Sequence, residues 1–274
     1  MTISVEQIKT LRDKTGAGMV DVKKALEEAG GDMTQAADAL RKKGITKAAK
    51  RGDKVAAEGI IMAETGQDGA AGYMLELNSE TDFVARNEQF QKLAADIFEL
   101  VKSKQPADID SLLNLALADS TVKEKLESLS GVIGEKLAVN NVAVVKNTGG
   151  TVASYVHGEG RIGVLVSLTG GSPALARDIA MQVAASNPRY LKPEDVPAED
   201  TEKEKVIYRE QLAAVSKPAE MMEKIIQGKL GKFYEEICLV KQLYIKDDKK
   251  TVEQVLKEAG ENVSIEKFVR FALA

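Results

Sequence analysis

The sequence has no tryptophan, and its six tyrosines and six phenylalanines make up only 4% of 274 residues. Ala, Leu, Ile and Val must therefore build its cores, and a large aromatic at a turn needs a reason. A single cysteine, Cys238, excludes an internal disulfide and fits a reducing compartment. One cysteine and one histidine, far apart in the chain, also exclude a zinc site of standard composition. No run approaches the ~20 apolar residues of a membrane span. The amphipathic, charged start MTISVEQIKTLRDKTG lacks the apolar run and small-residue cleavage site of a secretory signal. A soluble, cytoplasmic protein with no membrane partner is the expectation. Excess positive charge is missing too: 38 Lys and Arg stand against 42 Asp and Glu, a net charge of −4. That argues against nucleic acid as the main partner, because such proteins leave a basic footprint.

What is present divides the chain. Residues 1–54 read as helices: Ile8 and Leu11, then Val22, Ala25, Leu26 and Ala29, then Met33, Ala36, Ala37 and Leu40 recur at helical spacing. TGAG at 15–18 and AGGD at 29–32 separate them, and Asp32 suits the cap of the third. A three-helix module resembling a ubiquitin-associated (UBA-like) domain is expected, followed by the basic run RKKGITKAAKRGDK at 41–54. From 55 to 147 the texture changes to EGIIMAE and GYMLELNS, two strands joined by a glycine-rich hairpin, then helices and a further strand at 136–147. A helix carrying Phe90, Leu93, Ala94, Ile97, Leu100 and Val101 on one side is expected after the second strand, and two more around 108–117 and 120–135. Strand, turn, strand, loop and helix recur at 151–186, with Gly72-Tyr73-Met74-Leu75 aligning on Gly163-Val164-Leu165-Val166.

Two related α/β subdomains with small antiparallel sheets follow from this, the first over 55–147, the second over 148–192 and 233–274. Between the two parts of the second, 193–232 reads as an inserted antiparallel helical hairpin, a coiled-coil arm. Its apolar stripes are Tyr208, Leu212 and Val215 on one helix and Met222, Ile226, Leu230 and Phe233 on the other. Ser216-Lys217-Pro218 lies between them, with Pro218 in the first turn of the second helix. The seam leaves open a homodimer paired through the arm. EEICLVKQLYI and SIEKFVRFAL are expected as strands, with TVEQVLKEAG as a helix. The fold class is α+β.

Motifs for chemistry fail on context. HGEGRIG at 157–163 matches a dinucleotide fingerprint in its letters, but VLVSL after it is a strand, and the motif needs a helix whose free amides meet a pyrophosphate. The chain has no G-x-x-x-x-G-K-[ST] loop and no nucleophile for His157. No cofactor and no catalytic set is expected, and the chain is not expected to be an enzyme. The basic run at 41–54 offers an RNA-associated alternative, against its plainer reading as the solvated end of a helix.

The segment LELNSETDFVARNEQF at 75–90 places Asp82 and Phe83 where a strand ends and a helix begins. Local physics offers capping by Thr81 or Ser79, Asp82 at the positive end of the helix, and Phe83 stapled inward. LRDKTGAGMVDVKKALEEAGGD at 11–32, NSETDFVARNEQF at 78–90 and HGEGRIGVLV at 157–166 together resemble the bacterial-type translation elongation factor Ts family. Motifs and helical arm cover almost the whole chain.

The resemblance implies a guanine-nucleotide exchange factor that binds the GTPase elongation factor Tu and speeds release of its GDP. It implies that Asp82 and Phe83 press on the nucleotide domain of the GTPase, touched also by Arg12, Met19 and Val20. The segment at Ile133 and Gly134 and the His157 hairpin would meet another of its domains. Ser79 departs from the cysteine common in the family, and many relatives carry a further helix after the position of Ala274. More of the interface is then expected on the arm and core.

Overall fold

The structure, a computed structural model, describes residues 3–49, 51–212 and 218–274. Lys50, Val215, Ser216 and Lys217, named above, lie outside them. The chain begins with three helices, α1 (Val5–Thr15), α2 (Met19–Glu28) and α3 (Met33–Ala49). Ser4 and Gln7 form a capping box at the start of α1, and Gly16 ends it in the left-handed conformation. Asp32 accepts the amides of Thr34 and Gln35 at 2.8 and 2.9 Å, the cap its position promised. Leu11, Val22, Ala25, Leu26, Ala36 and Leu40 form the small core between the three helices.

Next come β1 (Glu58–Thr65), β2 (Ala71–Ser79), the single turn α4 (Asp82–Ala85), α5 (Glu88–Lys104) and α6 (Ile109–Leu113). A two-residue hairpin, β3 (Ala116–Leu117) and β4 (Ser120–Thr121), leads into α7 (Val122–Ile133) and β5 (Ala138–Lys146). The second unit has β6 (Gly150–His157), β7 (Ile162–Thr169) and α8 (Pro173–Ser186), followed by two long helices, α9 (Ala198–Leu212) and α10 (Ala219–Ile237). It closes with β8 (Leu243–Tyr244), β9 (Asp247–Thr251), α11 (Val252–Ala259) and β10 (Ser264–Ala272).

Two antiparallel three-stranded sheets, ordered β1-β2-β5 and β10-β7-β6, form the centre. Strand alternation sorts their side chains. Leu75 and Leu77 of β2 face Phe90, Leu93, Ala94, Ile97 and Val101 of α5. Val164, Val166 and Leu168 of β7 face Ala176, Ile179, Ala180 and Val183 of α8. Met74 and Leu165 point the other way and meet each other with Ile61, Val145 and Val152. The sheets therefore pack on one another, with helices on their outer faces.

The aligned Gly72 and Gly163 both lie in this inter-sheet layer. A Cβ on Gly163 would come within 2.4 Å of Ile61 Cγ2 and 2.9 Å of Met74 Sδ. Gly163→Ala is expected to lower stability by about 1–3 kcal/mol, the usual cost of overpacking a core. Urea unfolding measures it, and an unchanged midpoint would contradict the packing described.

Three expectations are corrected. The helix expected over 108–117 stops at Leu113, and the β3–β4 hairpin turns through Ala118, which holds a positive φ of 57°. The strand expected over EEICLVKQLYI is mostly helix: α10 runs to Ile237, a 3-10 turn covers Leu239–Lys241, and only Leu243–Tyr244 is strand. The apolar run is buried as a crossover, with Cys238 in one cluster and Leu239 in another, and the Leu239 amide donates to Tyr190 O. A short apolar run reads alike in either role. Pro218 is the N-cap of α10 rather than part of its first turn. The two helices pack through Leu212, Ile226 and Leu230, with Tyr208, Met222 and Phe233 partly buried against them.

Candidate partner-binding surface

β2 delivers the chain to a tight corner. Thr81 is extended (φ −128°, ψ 155°) and occupies the N-cap position of α4 without capping it. Its amide and hydroxyl both donate to Glu135, at 3.0 and 2.7 Å, while Ser79 Oγ donates to Thr81 O at 2.9 Å. Capping by Thr81 or Ser79 is thus corrected: the Thr81 side chain is turned to Glu135 and the Ser79 side chain to Thr81 O, and Thr81 accepts no first-turn amide. The inward staple expected of Phe83 is corrected as well. Val84 takes the buried place, and Phe83 is 80% exposed. Asp82 does stand in the first turn, 3.4 Å from Arg86 in an exposed pair worth little by itself.

The corner is braced from behind. Arg51 grips Glu80 with two hydrogen bonds of 2.8 and 2.7 Å, and the Lys136 amide donates to the same carboxylate at 2.6 Å. Lys136 Nζ donates to the carbonyls of Gly52 and Lys54, and Ser130 Oγ closes the end of α7 on Glu135 O at 2.6 Å. Segments 51–54, 79–82 and 135–136 are thereby tied together.

The Arg51 hydrogen bonds hold the Glu80 carboxyl well below its ordinary 4.5, down to about 2. A depressed folded value means that the brace stabilises above pH 4.5 and its contribution is lost as pH falls toward 2. Glu80→Gln is expected to be less stable than the parent by about 1.5–3 kcal/mol at neutral pH, as for loss of charged hydrogen bonds. The gap should close through the acid range in urea melts. A gap that stays constant into strong acid would contradict the ion pair.

The other sequence candidates divide. Val20 (82% exposed) and Met19 open α2, and Arg12 is exposed on α1. Their module reaches the corner through Gly16: a Cβ there would lie 2.8 Å from Gln89 Nε2, at the start of α5. Ile133, half-buried, and Gly134, the exposed left-handed cap of α7, directly precede the bracing Glu135. His157 stands apart, exposed at the end of β6, with Tyr155 OH 3.1 Å from its Nδ1. Gly158, Glu159 and Gly160 turn that hairpin with positive φ, and Gly160 O accepts the Ile61 amide at 2.8 Å. β7 follows, so the glycines present no helix N-terminus to a phosphate.

Sequence reasoning missed the brace: Arg51, Glu80, Glu135 and Lys136 are ordinary charged residues in a chain full of them, brought together only by the fold. In the basic run, Arg41 pairs with Glu124 at 2.9 Å, Lys43 with Asp21 at 2.7 Å and Arg51 with Glu80. Three cations of the RNA alternative are thus engaged with carboxylates of the chain. Burial pushes the Cys238 thiol up to about 11, away from nucleophilic use.

Fold and surface define a class: an α+β scaffold that displays an exposed aromatic on a braced corner, with Met19 and Val20 exposed on its N-terminal helices. Among the described residues no cluster of His, Cys, Asp and Glu is placed to hold a metal, and no helix is long and apolar enough to cross a membrane. The particular family comes from comparison. The family model for elongation factor TS matches residues 80–274. The chain is 43% identical to elongation factor Ts of Prosthecochloris aestuarii, covering 99% of this chain and 98% of that one. It is 44% identical to elongation factor Ts of Alkalilimnicola ehrlichii (99% and 92% covered) and of Deinococcus deserti (98% and 99%). The chain belongs to the elongation factor Ts family, and as a member of it is not an enzyme in the bond-making sense.

Proposed function

We propose that this chain is a guanine-nucleotide exchange factor that binds elongation factor Tu and accelerates its release of GDP. Phe83 and Asp82 press on the nucleotide domain, with Arg12, Met19 and Val20 on the same domain. Ile133, Gly134 and the His157 hairpin meet another domain of the GTPase. In this reading residues 1–54 act as a UBA-like module, 55–147 and 148–192 with 233–274 as the core, and 193–232 as a coiled-coil arm.

The observation that carries it is Phe83, 80% exposed in a chain poor in aromatics, on a corner braced by the Arg51, Glu80 and Glu135 side chains and the Lys136 amide. An aromatic held out against water at a fixed angle suits an interface hot spot. Coupling between partner and nucleotide is reciprocal. Weakening GDP a thousandfold needs about 4 kcal/mol of differential binding, at 1.4 kcal/mol per decade. An aromatic anchor with a wide footprint can supply that without a catalytic side chain. Release of fluorescent GDP from elongation factor Tu, with and without the chain, tests the reading. Acceleration by orders of magnitude is expected, and none would reject it.

A further inference from the structure

Resting on the exchange reading, we propose that Gly131 is a positioning residue, setting the N-terminal contact surface at the distance from Phe83 that one GTPase domain requires. α3 and α7 cross with their backbones in contact at Gly44 and Gly131, both buried. A Cβ on Gly131 would lie 2.2 Å from Gly44 Cα and 2.4 Å from Gly44 O. The crossing is not symmetric: a Cβ on Gly44 would find its nearest atom, Ser128 O, at 3.5 Å, an ordinary contact. A glycine inside a helix is disfavoured against alanine, so its place at Gly131 has a packing reason.

What α7 joins gives that packing its consequence. α3 belongs to the module that carries Met19 and Val20. Just past Gly131, Glu135 and the Lys136 amide hold Thr81 and Glu80, and so the Phe83 corner. At the other end of α7, Glu124 pairs with Arg41 of α3. The helix is thus a strut with the N-terminal module on one side and the Phe83 corner at its end. Carbon atoms settle at roughly 3.5–4 Å, so a methyl at Gly131 forces the two helices apart by more than an ångström. A displacement on that scale is enough to break simultaneous contact.

The test uses the full chain with Gly131→Ala, Gly44→Ala and Val20→Asp, alone and combined. Gly131→Ala is expected to lower exchange efficiency on elongation factor Tu about tenfold, and Gly44→Ala by less than twofold. Val20→Asp should cost about tenfold in the parent and less than twofold on top of Gly131→Ala, since the module is already out of register. Spin labels at Val20→Cys and Phe83→Cys read the geometry without any GTPase. Their distance should shift or broaden with Gly131→Ala and hold with Gly44→Ala.

Should Gly131→Ala fail to fold, Gly44→Val wedges the same crossing more mildly from the opposite helix, where a first carbon is accommodated and the added methyls press on α7, and should reproduce the shift. An unchanged label distance overturns the proposal, as does parent-like exchange by Gly131→Ala or full additivity with Val20→Asp. Failure of the exchange reading shows differently, as a parent chain that does not accelerate GDP release. The label distance then decides the positioning role by itself.

Discussion

Phe83→Ala is expected to slow GDP release from elongation factor Tu by roughly thirtyfold or more, while leaving the fold intact. The size follows from hot-spot energetics: truncating a central aromatic costs about 2 kcal/mol or more of binding, with 1.4 kcal/mol per decade. The selectivity follows from exposure. Phe83 is 80% exposed, and Val84 and Phe90 fill the core around the corner. Substitutions at such a surface site usually change stability by less than about 0.5 kcal/mol. Urea unfolding and stopped-flow exchange on the same preparation separate the two effects. A large stability loss would return Phe83 to the core, and unchanged exchange would remove it from the interface.

Glu135→Ala should damage exchange without touching the aromatic. Glu135 accepts both donors of Thr81, and its own carbonyl is held by Ser130. Hydrogen bonds to a charged group contribute about 1.5–3 kcal/mol, so a stability loss of about 2 kcal/mol is expected. Exchange should fall roughly tenfold because the corner no longer holds Phe83 at a fixed angle. The two substitutions act through one corner, on which Phe83 is the main contact and Asp82 the lesser. In the Phe83→Ala background, Glu135→Ala is therefore expected to cost less than about threefold in further exchange while keeping its full stability cost. Additive losses of exchange would mean that Glu135 acts on the GTPase by another route.

The sequence carried much of this architecture for identifiable reasons. Helical spacing from Ile8 to Leu40 and the Asp32 cap placed the N-terminal helices. Alternation placed the sheets, and aligning Gly72 with Gly163 found the two glycines that let the sheets approach. The run ICLV at 237–240 misled because continuous apolarity marks burial, not conformation. Phe83 misled local reasoning for a related cause. An apolar residue in a first turn normally packs inward, and only the fold shows that Val84 has taken that place. The brace was illegible, since Arg51 lies 29 positions from its partner Glu80, and Glu135 lies 54 from its partner Thr81. Nor does spacing in one helix reveal that Gly131 meets Gly44 of another.

The most direct measurement is the rate constant of GDP dissociation from elongation factor Tu as the concentration of this chain rises to saturation. The account predicts a climb to a plateau orders of magnitude above spontaneous release, with Phe83→Ala reaching a far lower plateau. A rate constant that stays at the spontaneous value at every concentration would contradict it.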